Sequence, residues 1–400
     1  MKRYISGKPT LQLSQILPKK RGRSNVFPLN QTRCYYFFSA RYALAAAIEA
    51  LGLGPRDKIL VPSYNCGVEI EPILHFGIEP IFYKINRTLL VDFPDLLNKI
   101  SSRVKAILIT HFFGFPQPVD QIKKICAERN LFLIEDCAHA LLSIYKGRPL
   151  GSYGNAAFFS LLKTLPVPNG GLLILDKEDL TFTEPQRVPS IFSTFFYSTE
   201  LLNLGTWDDD PTIKQAVLRI LNKGVYLSSK CVQLLVAAFR KVLNPKALYL
   251  VRPDSYLFIE ELLTWGVSSL SMNIINNTDF DRIGTLRRRN FEHLLNYFLK
   301  NDRGILPFQE LPPGVCPLLF PIILESEENR QILYKTLKSR GVITHPWWDR
   351  FHPEVPWDQF PDAVYLKKRL FGLPIHQDLT LNHLDRVTEE FETAYSSIHK

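Results

Sequence analysis

The stretch Ala106-Ile107-Leu108-Ile109, then Val119 to Arg129, then Leu131-Phe132-Leu133-Ile134-Glu135-Asp136 decides the fold. Its outer parts are short apolar runs that predict buried strands, and the middle predicts a covering helix. The same alternation extends outward. Upstream, Arg41 to Leu51 has helical spacing of Ala and Leu and stops at Gly52 and Gly54-Pro55. Lys58-Ile59-Leu60-Val61, closed by Pro62, and Glu79-Pro80-Ile81-Phe82-Tyr83, opened by Gly77, predict two strands with a helix from Val68 to Phe76 between them. Downstream, Ala156 to Leu162 reads as a further strand. Such succession indicates an α/β chain with a mostly parallel sheet covered on both faces, and ligands of such sheets collect at the carboxyl ends of strands. Asp136, His111 and Ser160 all stand just past such ends.

Lys163 follows one of these strands and precedes the Gly170-Gly171 pair, with Asp136 lying 27 positions upstream. An amine that condenses with an aldehyde and a carboxylate that keeps a pyridine nitrogen protonated are what pyridoxal 5'-phosphate (PLP) requires. Taken singly, the acidic residue would be a helix cap, the lysine a surface side chain and the glycines an ordinary turn. Their ordered coincidence points to the cofactor. Lys146 does not compete, because Tyr145-Lys146-Gly147-Arg148 reads as a solvated hairpin turn.

The 400 residues, 46% apolar and 22% charged, predict one large and one smaller domain. Apolar runs such as Ala43 to Ile48 and Leu234 to Phe239 fall far short of the roughly 20 residues that cross a bilayer. Lys2 and Arg3 are followed by polar residues and Pro9 rather than an apolar stretch, so a cytoplasmic location is expected. Six cysteines without a C-x-x-C pair read as buried thiols, and no metal site is expected. Part of the net charge of +9 sits in a basic arm, residues 1–24. Without interleaved aromatics this arm reads as a mobile tail, and a nucleic-acid partner is not favoured.

From about Tyr35 to Gly171, and again at Leu373-Pro374-Ile375-His376-Gln377-Asp378-Leu379, the chain resembles the DegT/StrS type of PLP-dependent sugar aminotransferases, within the fold type I aminotransferase superfamily. The resemblance implies a catalytic pair, Lys163 as the covalent holder of PLP and Asp136 as the partner of the pyridine nitrogen. It implies further that Ala138 lies against the ring and that His139 lines the cofactor beside Asp136. Ser160 matches a hydroxyl donor to the cofactor phosphate. Ser39-Ala40-Arg41-Tyr42 takes the place of a phosphate-binding turn, and a helix start suits an anion. The interval from Ser160 to Lys163 is shorter than in most members and is similar to a subgroup with a short turn. Cys66 stands where many members place an aromatic ring on the cofactor face, with Tyr64 close by. Gly266-Val267-Ser268, or Asn273, matches the place of a phosphate ligand given to a partner subunit, so a homodimer is implied. The implied substrates are an amino-acid donor, glutamate first, and a keto group of a nucleotide-linked sugar, in polysaccharide or secondary-metabolite biosynthesis.

The implied division is a large PLP-binding domain over 25–275, carrying a helical insertion over 181–260, and a small C-terminal α+β domain over 276–400. Within the insertion, Cys231 to Lys241 reads as an apolar helix packed on protein, a reading favoured over peripheral membrane contact through Lys230, Arg240 and Lys241. Arg287-Arg288-Arg289-Asn290 reads as opening a helix, the arginine triplet as a helix surface with one member facing phosphate as the alternative, Pro317 to Leu324 as a strand, and Glu327 to Arg340 as a helix. Trp347, Trp348, Arg350 and His352 form either an acceptor contact or a packed loop, and His111 reads equally as a satisfied histidine or a substrate contact. Two other functions stay open: a PLP-dependent sugar dehydratase or lyase, whose members tend to lack the lysine, and a non-catalytic PLP-binding or nucleic-acid-binding regulator.

Overall fold

The computed structural model describes residues 4–11, 25–177, 180–190 and 256–398, together with Gln15, Thr194, Ser198 and Leu201. The stretch from Cys231 to Lys241, most of the 181–260 insertion and the arm's Lys2, Arg3, Lys19, Lys20, Arg21 and Arg23 lie outside the described residues.

Seven strands form one sheet: β1 (Cys34–Phe37), β2 (Lys58–Pro62), β3 (Glu79–Tyr83), β4 (Val104–Thr110), β5 (Phe132–Asp136), β8 (Ala156–Ser160) and β9 (Gly171–Leu175). Their order is β1-β9-β8-β5-β4-β2-β3. Neighbours from β3 through β8 run parallel. β9 is antiparallel to both β8 and β1, so β1 returns to the direction of the parallel set. All five residues of β8 and of β9 are buried, as expected of strands covered on both faces.

The covering helices begin and end where the chain's capping chemistry puts them. α1 (Ala40–Ala50) follows Ser39, and its alanine-rich surface is small enough to lie flat on the sheet. α2 (Ile70–His75) is shorter than the expected Val68–Phe76. α3 (Phe93–Asn98) is opened by Asp92, whose side chain accepts from the Asp95 amide. α4 (Val119–Arg129) ends on Asn130 in the left-handed conformation. The short hairpin of β6 (Ile144–Tyr145) and β7 (Arg148–Pro149) turns through Lys146 (φ 47°) and Gly147 (φ 78°), both positive as a tight two-residue hairpin requires.

The C-terminal part carries an antiparallel sheet ordered β10 (Phe320–Ile323), β12 (Leu370–Leu373), β11 (His345–Pro346). With it are α6 (Ser269–Asn276), α7 (Phe280–Asn301), α8 (Glu327–Ser339), α9 (Pro361–Arg369) and α10 (Leu381–Ile398). The expected strand shrinks to Phe320–Ile323, and the expected helix ends one residue early.

Two expectations are overturned here. Arg287-Arg288-Arg289 does not open a helix, because Asp279 caps α7 by accepting from the Arg282 amide, which places the triplet mid-helix. Nor is the whole triplet a helix surface: Arg287 is 1% exposed, while Arg288 and Arg289 remain half-buried. The start of the basic arm is no loose tail: Ile5 is fully buried, bridges Val342 and donates to the Gly341 carbonyl at 2.7 Å. Thr10 donates its amide to Asp378 at 2.8 Å. Among the described residues, no helix is long and apolar enough to cross a membrane.

Candidate active site

Three strand ends meet around one carboxylate. Asp136 closes β5, pairs in register with Thr110 of β4, and is 7% exposed. Its Oδ1 accepts from the Ala138 amide at 2.9 Å, which folds the chain back under the carboxyl group. Its Oδ2 has only a long contact, 3.4 Å, from the Thr110 hydroxyl. Burial raises the Asp136 pKa to about 6, the Lys163 ammonium pulling it down and Glu69 pushing it up. The two groups expected to act together therefore sense each other across the site.

His139, three residues on, is 2% exposed and stacks on Phe113 at 5.4 Å. Its Nδ1 accepts from the Phe113 amide at 3.2 Å, so the ring proton is on Nε2. That buried Nε2–H has no hydrogen-bond partner among the described residues. Burial first, and then Lys163, hold the His139 pKa well below the usual imidazole range, so the ring is neutral.

Lys163 stands on a single helical turn, α5 (Leu161–Thr164), directly after Ser160 closes β8. Its Nζ lies 5.6 Å from the centroid of Trp347 and 5.9 Å from that of Trp348, aromatic faces that attract a cation. Trp348 in turn packs against Tyr64 at 5.0 Å and His139 at 5.3 Å. Ser160 makes no cap hydrogen bond with its hydroxyl. Opposite it, Gly171 opens β9 against the Ser39-Ala40 turn so closely that a Cβ there would sit 2.2 Å from the Ser39 carbonyl carbon. Only glycine brings the start of α1, with Ala40, Arg41 and Tyr42, beside Ser160 in this way. The Tyr42 and Ala43 amides donate to the Ser39 carbonyl at 3.1 and 3.2 Å, and the Ser39 side chain makes no cap hydrogen bond among the described residues.

Other candidates resolve differently. His111 is fully buried, accepts the Gln117 amide on Nδ1 at 3.1 Å and places Nε2 3.1 Å from Glu135. It is the satisfied histidine of the two readings. His111, Glu135 and Cys137 have donor atoms within 4.8 Å of one another. With Nδ1 accepting an amide and Nε2 protonated toward Glu135, however, the ring has no lone pair for a metal. Cys66 is half-buried, and its thiol donates to Glu69 at 2.8 Å. Burial and Glu69 push that thiol far up, so it stays protonated. Tyr64 is fully buried and donates its hydroxyl to the Trp347 carbonyl. Ser268 is 1% exposed and caps α6 through the Ser271 amide at 3.1 Å. The aromatic-basic cluster divides: Trp347 and Trp348 face Lys163, whereas His352 is buried against Glu71 at 3.0 Å.

Sequence reasoning missed Glu69 and Lys367, both buried. Lys367 donates to the Asn65 carbonyl at 2.8 Å and the Arg350 carbonyl at 2.6 Å, and burial lowers its pKa to about 8. Glu69 falls inside a predicted helix segment where acidic residues are ordinary, and Lys367 inside the basic run Lys367-Lys368-Arg369; neither carries a local signal of burial. Glu135, next to Asp136, accepts from the amides of Gly151 (2.9 Å), Tyr153 (2.8 Å) and Gly154 (2.6 Å), a role that its place in the sequence does not signal.

The sheet, with its single antiparallel strand and a lysine and an aspartate at strand ends, is the fold of the type I PLP-dependent aminotransferases. Residues 30–184 match the model of the DegT/DnrJ/EryC1/StrS aminotransferase family. In sequence, the chain is similar to GDP-perosamine synthase of Escherichia coli O157:H7, 36% identical over 141 residues, covering 34% of this chain and 39% of the relative. It is also similar to the spore coat polysaccharide biosynthesis protein SpsC of Bacillus subtilis, 35% identical over 145 residues, 36% of this chain and 37% of the relative. These matches span well under half the length of either relative. In structure, the putative sugar aminotransferase Spr1654 of Streptococcus pneumoniae in its PLP form aligns over 99% of both chains with a TM-score of 0.67 at 16% identity. Helicobacter pylori PseC, an aminotransferase involved in the biosynthesis of pseudoaminic acid, aligns over 99% of this chain and 100% of its own, with a TM-score of 0.64 at 15% identity.

Proposed function

We propose that this chain is a PLP-dependent aminotransferase. It moves an amino group from an amino acid, glutamate first, to a keto group of a nucleotide-linked sugar in polysaccharide or secondary-metabolite biosynthesis. The carrying observation is the Asp136 carboxylate at the end of β5 and the Lys163 amine on the turn that follows the neighbouring β8, beside a buried His139 Nε2–H with no partner among the described residues. The residues present fit PLP: an Asp136 oxygen held only by a long contact from Thr110, for a ring nitrogen, a His139 donor with no partner among the described residues, and a helix start for a phosphate.

When bound, PLP supplies an electron sink for a developing carbanion. Asp136 Oδ2 holds the proton of the pyridine nitrogen, while the Ala138 amide fixes Oδ1. His139 would donate Nε2–H toward the bound cofactor, and Ala138 would lie against its ring. Ser160 and the start of α1, with Ala40, Arg41 and Tyr42, would hold the phosphate, and Cys66 would lie beside the ring. Lys163 Nζ would hold the cofactor covalently, and its free neutral amine would move a proton at the donor carbon and at the sugar carbon. Trp347 and Trp348 shield that nitrogen from water. The proposal includes a homodimer, the large and small domains divided near residue 275, and a cytoplasmic location. Lys163 is what sets this reading above a lyase.

The test is a visible absorption spectrum of the purified protein with PLP, before and after borohydride, with peptide mapping and with glutamate added in parallel. An adduct on Lys163 and conversion of the bound cofactor to its amine form by glutamate support the proposal. A reduced protein with no modified Lys163 overturns it.

A further inference from the structure

Two side chains from the C-terminal part converge on one main-chain oxygen next to Lys163. The turn α5 is four residues long, so its last carbonyls find no helical partner. The carbonyl of Thr164 instead accepts from Gln377 Nε2 at 3.0 Å and from Arg287 Nη2 at 3.4 Å. Arg287 Nε also donates to Gln377 Oε1 at 3.0 Å, which orients the amide so that its nitrogen faces Thr164. The guanidinium is 1% exposed, and its remaining hydrogen bonds go to the carbonyls of Leu318 (2.8 Å) and Pro317 (3.4 Å) rather than to a described carboxylate. Burying an arginine against carbonyls alone is a poor way to stabilise a core, which points to a role in holding main chain in place.

Gln377 is itself held from both sides. His376 Nε2 lies 2.9 Å from the Ser6 carbonyl, and Asp378 accepts from the Thr10 amide at 2.8 Å. Asn290, one turn from Arg287 on α7, donates to the carbonyls of Ile375 (3.2 Å) and His376 (3.1 Å).

We propose that Gln377 and Arg287 are positioning residues that set the orientation of the Lys163 turn, so that Nζ faces Asp136. This rests on the function proposed above for Lys163. It makes the aim of the lysine depend on the docking of the 373–379 segment, and through Ser6 and Thr10 on the N-terminal segment.

Two variants test it. Q377M removes both hydrogen bonds of the amide, and Q377E keeps an acceptor for Arg287 Nε but loses the donor to Thr164. In hydrogen exchange of the protein without added cofactor, both should exchange the 161–168 peptide on the order of tenfold faster, with peptides of β5 and α7 unchanged. In the PLP-loaded protein, the pH midpoint of the visible band should move from its wild-type position, a change that general destabilisation does not produce. Unchanged exchange at 161–168, a uniform increase along the chain, or an unshifted midpoint overturns the proposal. If wild-type protein carries no PLP on Lys163, the functional reading fails, and the exchange comparison still decides whether Gln377 holds the turn.

Discussion

The Phe113 amide points at His139 Nδ1 from 3.2 Å and thereby fixes where the imidazole proton resides. The Nε2–H that results is buried and unpaired, an arrangement that costs a fold about 1–3 kcal/mol and calls for a ligand. Replacing His139 with Phe keeps the ring over Phe113 and removes the donor. PLP affinity should fall by roughly ten- to a hundredfold, the equivalent of one buried hydrogen bond. Absorbance titration with PLP measures it, and an unaltered dissociation constant would detach His139 from the cofactor.

Asp136 illustrates the same trade in a titratable group. Its pKa in the folded protein, about 6, is raised by burial above the ordinary carboxylate value. The folded state thus binds this proton more tightly than the unfolded state does, and the contribution to stability is present below about pH 4 and lost as pH rises through about 6. Asp136→Asn carries no such charge. Without cofactor it should be more stable than wild type at pH 7.5, by on the order of 1–3 kcal/mol, and the gap should close at pH 4. With PLP and substrates the same variant should lose at least about a hundredfold in turnover. Urea unfolding at the two pH values and steady-state rates check the two halves. A variant less stable than wild type at pH 7.5 would contradict the burial argument.

Glu135, by contrast, is a structural acid. It is fully buried, and it receives three backbone amides together with His111. Glu135→Gln sets an NH2 group against donors that need an acceptor and should cost about 2–4 kcal/mol. Urea unfolding of the cofactor-free protein measures this loss, and a change below about 0.5 kcal/mol would remove Glu135 from the framework of the site.

β5 was legible because it is a short apolar run ended by a polar residue, Leu133-Ile134-Glu135-Asp136, whereas the apolar run Ala156 to Leu162 conceals that β8 ends at Ser160 and that Leu161 and Leu162 belong to the turn α5. Burial on both faces leaves no alternative to apolar side chains. Lys146 was legible for the opposite reason, since Lys146-Gly147 needs two positive φ values that only a hairpin turn offers. Arg287 was not. Three consecutive arginines look like solvent, and the cap at Asp279 that sets the helix start lies two turns away. The docking of Ile5 against Val342 and Gly341 was equally hidden, because it depends on a contact between residues more than 300 positions apart.

Local chemistry, which a chain carries with it wherever it goes, was therefore readable from the sequence of this protein: that β2 to β5 are strands, that Asp136 and Ser160 stand at strand ends, and that Lys163 follows one; β1 and β9 were not readable. Tertiary structure alone decided what those groups face. Only folding placed Trp347 and Trp348 against Lys163, gave His139 an unpaired proton, tied the Cys66 thiol to Glu69, and brought Gln377 and Arg287 onto the Thr164 carbonyl. A hydrogen bond or a desolvated charge depends on a few tenths of an ångström across elements remote in sequence, and spacing along the chain does not encode that distance.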